Sequence, residues 1–328
     1  MHVDEIIKKL LIIDGHTDIP RHLYLRHLEG NEDAFLNEHY PALKRSQVNI
    51  AVVNVFTKGK KEETMEQAMF QIERILDAVE NAEDVVLIKN KQDLKDAIEN
   101  KKLGLILSLE GFEPLGNNLN FLNLYYHLGV RAGMLTWNWA NAFASGTDTD
   151  EPLSVMGVEA LEKMHELGIV VDVSHLNEKG FWDVISKSQK PIIASHSNAR
   201  ALFNHPRNLS DEQIIAIANT GGVIGTTPYF TKVDQDDPLK VRTDDDSTET
   251  IDDYIQHIEY IVNLVGYDHV AFGFDFNLYL GDFGVKGIED TEKIKNVISL
   301  LLERGHKIED IEKIAGLNLF RVFNQILK

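Results

Sequence analysis

Eight short apolar runs rich in Val and Ile recur along the chain, separated by longer stretches with helical spacing, and no other feature limits the fold as tightly. They cover residues 11–14, 48–56, 103–109, 132–135, 169–173, 191–194, 222–226 and 270–274. Such runs read as parallel strands buried on both faces and joined by crossover helices. Helical spacing falls at 62–80, 92–100, 119–128, 155–167, 178–188, 211–219, 251–264 and 291–304. This alternation predicts an α/β fold, a (β/α)8 TIM barrel, with 307–327 as an additional C-terminal helix.

Local signals agree. Gly168 follows the 155–167 helix where a left-handed cap is wanted, and Ser210 precedes the 211–219 helix with Gln213 three residues on, a capping-box spacing. No composition break or Pro/Gly/Ser linker divides the chain, so residues 1–328 read as a single barrel domain. The segment 232–250, with Asp234, Asp236, Asp237, Asp244, Asp245 and Asp246, reads as a solvated loop ending in a helix cap, with a lid over the site as the other reading.

Composition removes several function classes. With 33 Lys plus Arg against 52 Asp plus Glu the formal charge is -19, which repels phosphate backbones and anionic membrane surfaces. Nucleic acid and membrane are therefore not expected partners. The first eleven residues lack the long apolar core of a secretory signal or a membrane span, so a cytoplasmic location is expected. There is no cysteine, so any metal must be held by His, Asp or Glu.

In barrel enzymes the working side chains stand at the C-terminal ends of the strands. Here the first strand ends in Asp14-Gly15-His16-Thr17-Asp18, where the i, i+2 spacing turns His16 and Asp18 to one side of extended backbone. The third ends at Glu110-Gly111, the fifth in Asp172-Val173-Ser174-His175, the sixth in Ser195-His196-Ser197 and the eighth in Gly273-Phe274-Asp275-Phe276. So many ionisable groups at one end of a barrel would be a costly way to build a core, because buried charges need partners or a metal. Nitrogen and oxygen ligands without sulfur suit Zn²⁺ in a catalytic site, and Mn²⁺, Co²⁺ or Fe²⁺ also fit.

These motifs, with Pro206-Arg207-Asn208-Leu209 and the closing Gly316-Leu317-Asn318-Leu319-Phe320-Arg321-Val322-Phe323, resemble the membrane dipeptidase (renal dipeptidase) family of zinc peptidases, within the amidohydrolase-like barrels. The resemblance runs nearly the length of the chain. It implies two Zn²⁺ per chain, one held by His16 and Asp18, the other by His175 and His196, with the Glu110 carboxylate bridging them. It also implies that Asp275 serves the metal-bridging hydroxide as general base and then the leaving amine as general acid, and that Arg207 binds the free carboxylate of a dipeptide. A C-terminal D-amino acid is expected to be tolerated. Members usually dimerise, so a homodimer is an option the sequence leaves open.

One departure stands out. Trp137 occupies the position where better-known members carry a histidine that helps polarise the scissile carbonyl. Trp137 is read as a pocket wall and Asn138 as a candidate donor to the developing oxyanion. Asp172 and Ser174 are read as groups that orient His175 or its neighbours. His22, His27, His39, His127, His165, His205, His257 and His269 are expected on the surface or on helices, without a role. The leading reading is a dipeptidase; the alternatives are an amidohydrolase acting on N-acyl amino acids or other small amides, and a ligand-binding barrel without turnover.

Overall fold

Side-chain alternation along the strands decides what each end of the barrel contains. A computed structural model describes residues 3–59, 61–232, 249–281 and 284–328. Its strands are β1 (Ile13–Thr17), β2 (Ile50–Phe56), β3 (Val85–Leu87), β4 (Leu103–Glu110), β5 (Val130–Met134), β6 (Val170–Asp172), β7 (Ile193–Ala194), β8 (Val223–Thr226) and β9 (Val270–Phe272). All ladders are parallel and run β1-β2-β4-β5-β6-β7-β8-β9, with β3 laid beside β4. Eight strands thus form a nearly closed barrel. At the seam the Asp275 N–H donates to His16 O at 3.1 Å, and the Phe274 N–H donates to Asp14 Oδ1 at 3.1 Å.

Along β4, Leu105, Leu107 and Leu109 belong to the large cluster shared with the surrounding helices, whereas Ile106 belongs to a second cluster inside the barrel. That inner cluster takes a residue from every barrel strand: Ile13, Ile50 and Val52, Ile106, Ala132, Val170, Ile193, Val223 and Ala271. Two residues further along, the same inward face carries Asn54, Ser108, Asp172 and Ser195, and then Glu110, all buried. The barrel is apolar below and polar above because of period-two alternation.

The floor is closed by the helix Asn318–Ile326, whose Leu319, Val322, Phe323 and Ile326 pack into the inner cluster. This is the additional helix expected over 307–327, but it is broken into a short helix Ile308–Glu312, a π-helical turn Lys313–Leu317 and the plug. Gly316 lets the turn meet the barrel, since a Cβ there would lie 2.3 Å from Leu11 O.

Three other differences have local causes. The strand Val85–Leu87 is only three residues long and joins the sheet through β4 alone, which leaves too short a run for periodicity to register. The first strand begins at Ile13, so His16 lies within it. The helix Ile19–Leu28 was not expected; Pro at its start fixes the first turn, and Ile19, Pro20, His22 and Leu23 are its buried residues. Gly168 (φ 81°) and the Ser210–Gln213 capping box match expectation. Residues 233–248, the bulk of the acidic segment, lie outside the described residues, and past them Thr250 caps the helix Ile251–Val265 with Asp253. Among the described residues no helix is long and apolar enough to cross a membrane.

Candidate metal centre

The polar mouth is assembled by backbone that departs from ordinary strand geometry. Asp172 Oδ1 accepts the N–H groups of Ser174 and Ser195, both at 3.0 Å, tying the end of β6 to the end of β7. Beyond β7 the chain turns inward across the barrel. Gly225 and Gly273 make room for it, because a Cβ on either would lie 2.0 or 1.7 Å from Ser195 O. His196 is thereby brought against His16, with ring centroids 3.8 Å apart. His175 and Asp275 both adopt the left-handed region, at φ 71° and 54°. Non-glycine residues occupy that region at a cost of ~1–3 kcal/mol, and such strain gathers at functional sites.

Three imidazoles surround one carboxylate. Nε2 of His175, His16 and His196 lies 3.0, 3.5 and 4.0 Å from an oxygen of Glu110. On the far side of each ring, Nδ1 is already engaged. His175 Nδ1 meets Asn138 Oδ1 at 2.7 Å, and Ser195 Oγ lies 2.8 Å from His196 Nδ1 and 3.3 Å from His16 Nδ1. Asp18 and Asp275 approach from the other side, with Oδ1 atoms 3.7 and 3.6 Å from His16 Nε2. The candidate ligands His16, Asp18, Glu110, His175 and His196 therefore converge, joined by Asp275. Two overlapping groups, His16–Glu110–His196 and His16–Asp18–Asp275, bring their ligand atoms within 4.8 Å of one another.

Electrostatics reflect this crowding. Burial disfavours charge on His16, but the negative charges of Glu110, Asp18 and Asp275 around it hold its imidazole well above the usual range. Burial pushes His175 and His196 well below it, and the Arg207 and His16 charges push the same way. Burial lifts Glu110 to about 7 against the pull of His16. It lifts Asp275 well above the ordinary carboxyl value, with Asp18 and Glu110 adding repulsion. Buried His16 Nε2 and Asp18 Oδ1 have no hydrogen-bond partner. Atoms of this kind are costly to bury unless something further engages them.

Around this centre stand the groups expected to meet substrate. Arg207 is 4% exposed; one guanidinium nitrogen lies 3.2 Å from His175 Nε2 and 3.3 Å from His196 O. Trp137 places its ring 5.6 Å from that of His175 and 5.2 Å from Phe56. Asn138, read as an oxyanion donor through its amide nitrogen, has its side-chain oxygen occupied by His175 Nδ1 and by the Thr147 hydroxyl at 3.1 Å. Ser174 and Asp172 hold backbone N–H groups, including that of His196, and leave the imidazoles to Asn138 and Ser195.

Some residues were missed or misread. Ser195 stood inside a quoted motif, yet adjacency to His196 does not reveal which hydroxyl meets which ring. Half-buried Tyr279, whose shielded hydroxyl has no hydrogen-bond partner, sits in the field of Asp18, Asp275 and Asp14. Of the histidines expected on surfaces or helices, His22, His39 and His257 do stand on helical segments but are buried there, and buried His205 stands on neither. His22 and His39 share a 2.7 Å hydrogen bond under the Tyr279 ring, and His257 accepts from the Ala199 N–H; helical spacing alone does not show which histidine faces inward.

Comparison with known proteins agrees with the geometry. Residues 1–328 match the family described as membrane dipeptidase, peptidase family M19. An uncharacterised dipeptidase of Schizosaccharomyces pombe is 31% identical over 98% of this chain and 82% of its own length. Dipeptidase tcpJ of Claviceps purpurea is 28% identical over 99% of this chain and 72% of its own length. In fold, the chain is similar to a metallopeptidase from Rhodobacter sphaeroides, solved with a phosphinate mimic of the dipeptide L-Ala-D-Ala, at TM-score 0.86 and 22% identity, covering 97% of this chain and 99% of that one. The chain belongs to the membrane dipeptidase family, peptidase family M19, and is a metallodipeptidase.

Proposed function

We propose that the protein hydrolyses small dipeptides with two zinc ions, one held by His16 and Asp18, the other by His175 and His196, with Glu110 between them. The observation that carries this reading is that three Nε2 atoms face one carboxylate within 4.0 Å while every matching Nδ1 is held elsewhere. Rings held in this way turn Nε2 toward a shared centre, and His16 Nε2 and Asp18 Oδ1, which lack hydrogen-bond partners, are atoms that a cation displacing the His16 proton would engage. The donor set, all nitrogen and oxygen, fits zinc. When bound, a pair of such ions lowers the pKa of a shared water toward neutrality and withdraws charge from the peptide carbonyl.

The chain's own groups account for the rest. Arg207 presents a buried guanidinium beside His175, suited to a substrate's free carboxylate. Asp275, with its carboxyl raised by burial, takes the proton of the attacking water at a side-chain oxygen and returns it to the leaving amine as the C–N bond breaks. Trp137 and Phe56 wall the site.

A grip on the carboxylate leaves the stereochemistry of the C-terminal residue loosely read, so dipeptides ending in a D-amino acid are substrates. The L-Ala-D-Ala mimic bound by the Rhodobacter relative supports this tolerance. Turnover of L,L- and L,D-dipeptides and of N-acyl amino acids by zinc-reconstituted and chelator-treated protein tests the reading. Dipeptide hydrolysis that disappears on chelation is expected. Hydrolysis of N-acyl amino acids with dipeptides untouched would replace the reading with the amidohydrolase alternative.

A further inference from the structure

Glu113, three residues beyond Glu110, plays no part in the chemistry above, yet its carboxylate is turned inward. Oε1 accepts from the Trp139 indole N–H at 3.0 Å and from the Asn141 side-chain amide at 3.1 Å, while Oε2 is shut off from solvent without a partner. Burial pushes this carboxyl up, against those donors. Gly111 makes the approach possible, because at φ 95° a Cβ there would lie 2.0 Å from Glu113 Oε2.

The two donors are the inner anchors of a strap, residues 135–148, that crosses the mouth of the barrel. Asn141 also donates to Leu135 O at 2.8 Å, and the Thr136 hydroxyl donates to Trp139 O at 2.6 Å. The strap folds back at Gly146, whose N–H donates to Trp139 O at 3.0 Å. The Trp137 ring stands 4.6 Å from the Trp139 ring and 5.6 Å from His175. Glu113 therefore holds Trp139, and Trp139 backs the ring that walls the site.

We propose that Glu113 is a positioning residue which, through Trp139, fixes the Trp137 wall and so sets a preference for dipeptides bearing an aromatic or large aliphatic side chain. The proposal rests on the dipeptidase reading. A carboxylate is better suited than a neutral acceptor to this place, since one oxygen receives two donors and charge-assisted hydrogen bonds hold geometry more tightly. An indole wall gains area and edge-to-face contacts with an aromatic side chain that it cannot gain with a methyl group.

The test compares Glu113→Ala, Trp139→Phe and the double variant, each loaded with zinc, on Ala-Ala, Ala-Phe and Phe-Ala dipeptides in L,L and L,D forms. The ratio of kcat/KM for the better Phe-containing dipeptide to that for Ala-Ala should fall ~10-fold in Glu113→Ala, chiefly through KM, because one pocket contact discriminates by about this much. Trp139→Phe should lower the ratio in the same direction by less, and adding it to Glu113→Ala should change little further, since both remove one link. Equal losses on every dipeptide, or strictly additive effects, would overturn the proposal. The Trp139 indole N–H resonance, identified by its loss in Trp139→Phe, gives a readout independent of activity. It should move upfield in Glu113→Ala, and an unmoved resonance rejects the anchor. If the wild-type protein hydrolyses no dipeptide, the dipeptidase reading fails and this resonance alone decides whether Glu113 holds the strap. If Glu113→Ala does not fold, the ratio in Trp139→Phe decides.

Discussion

Asn138 Oδ1 and His175 Nδ1 lie 2.7 Å apart, joining the turn after β5 to the turn after β6 across 37 residues of sequence. An amide oxygen can only accept, so His175 carries its proton on Nδ1 and leaves the Nε2 lone pair for a cation. Asn138→Ala removes that choice of tautomer. Loss of such a partner typically costs ~10–100-fold in metal affinity or activity. Zinc retention under a graded chelator series should show the loss, and unchanged retention would mean that the ring is held by packing alone.

Asp275→Asn keeps the shape of the side chain and removes its capacity to take a proton. Turnover should fall by roughly 10²–10⁴ with zinc content per chain preserved. Metal analysis beside kcat separates this from a ligand's role, because a variant that loses both would mark Asp275 as a ligand first.

Arg207→Ala should raise KM for dipeptides strongly, while neutral amides that lack a free carboxylate lose far less. Arg207→Lys should recover part of the loss, since an ammonium supplies charge without the two-pronged geometry. Equal effects on both substrate types would remove Arg207 from the carboxylate site.

Acid should destabilise the fold partly through His39. Burial, and then the neighbouring His22, push its pKa down to about 3. The folded value lies below the unfolded value of ~6.5, so the unfolded chain binds the proton first. Its contribution is thus complete above ~6.5 and is lost as pH falls toward about 3, at up to ~1.4 kcal/mol per pH unit. Denaturant midpoints at pH 7, 6 and 5 should fall less steeply in His39→Gln than in wild type, and parallel slopes would acquit the residue.

Much of this architecture could be read from residues alone, for a physical reason. Apolar runs such as 48–56 and 103–109 must be buried on both faces, and the groups that follow them, Glu110 among them, inherit the polar end of the barrel. What could not be read depends on contacts between distant turns. The Asn138–His175 and Ser195–His16 pairs need two backbone conformations to be known at once, and the φ of 71° at His175 leaves no local trace. The plug was legible as a helix, but the π-helical turn before it, where Gly316 lies close against Leu11, is a tertiary contact that pattern does not encode.

The plug has a further consequence for how the molecule is made. The segment that seals the inner cluster lies downstream of the nine strands among the described residues, and Phe323 alone, if truncated to Ala, would be worth ~3–5 kcal/mol. The interior is therefore incomplete until residues 318–326 have docked. Ile13, Val170 and Ala271 share their cluster with Leu319, Val322 and Phe323, so a chain cut before Asn318 should leave an apolar opening at the base, read as increased binding of a hydrophobic dye.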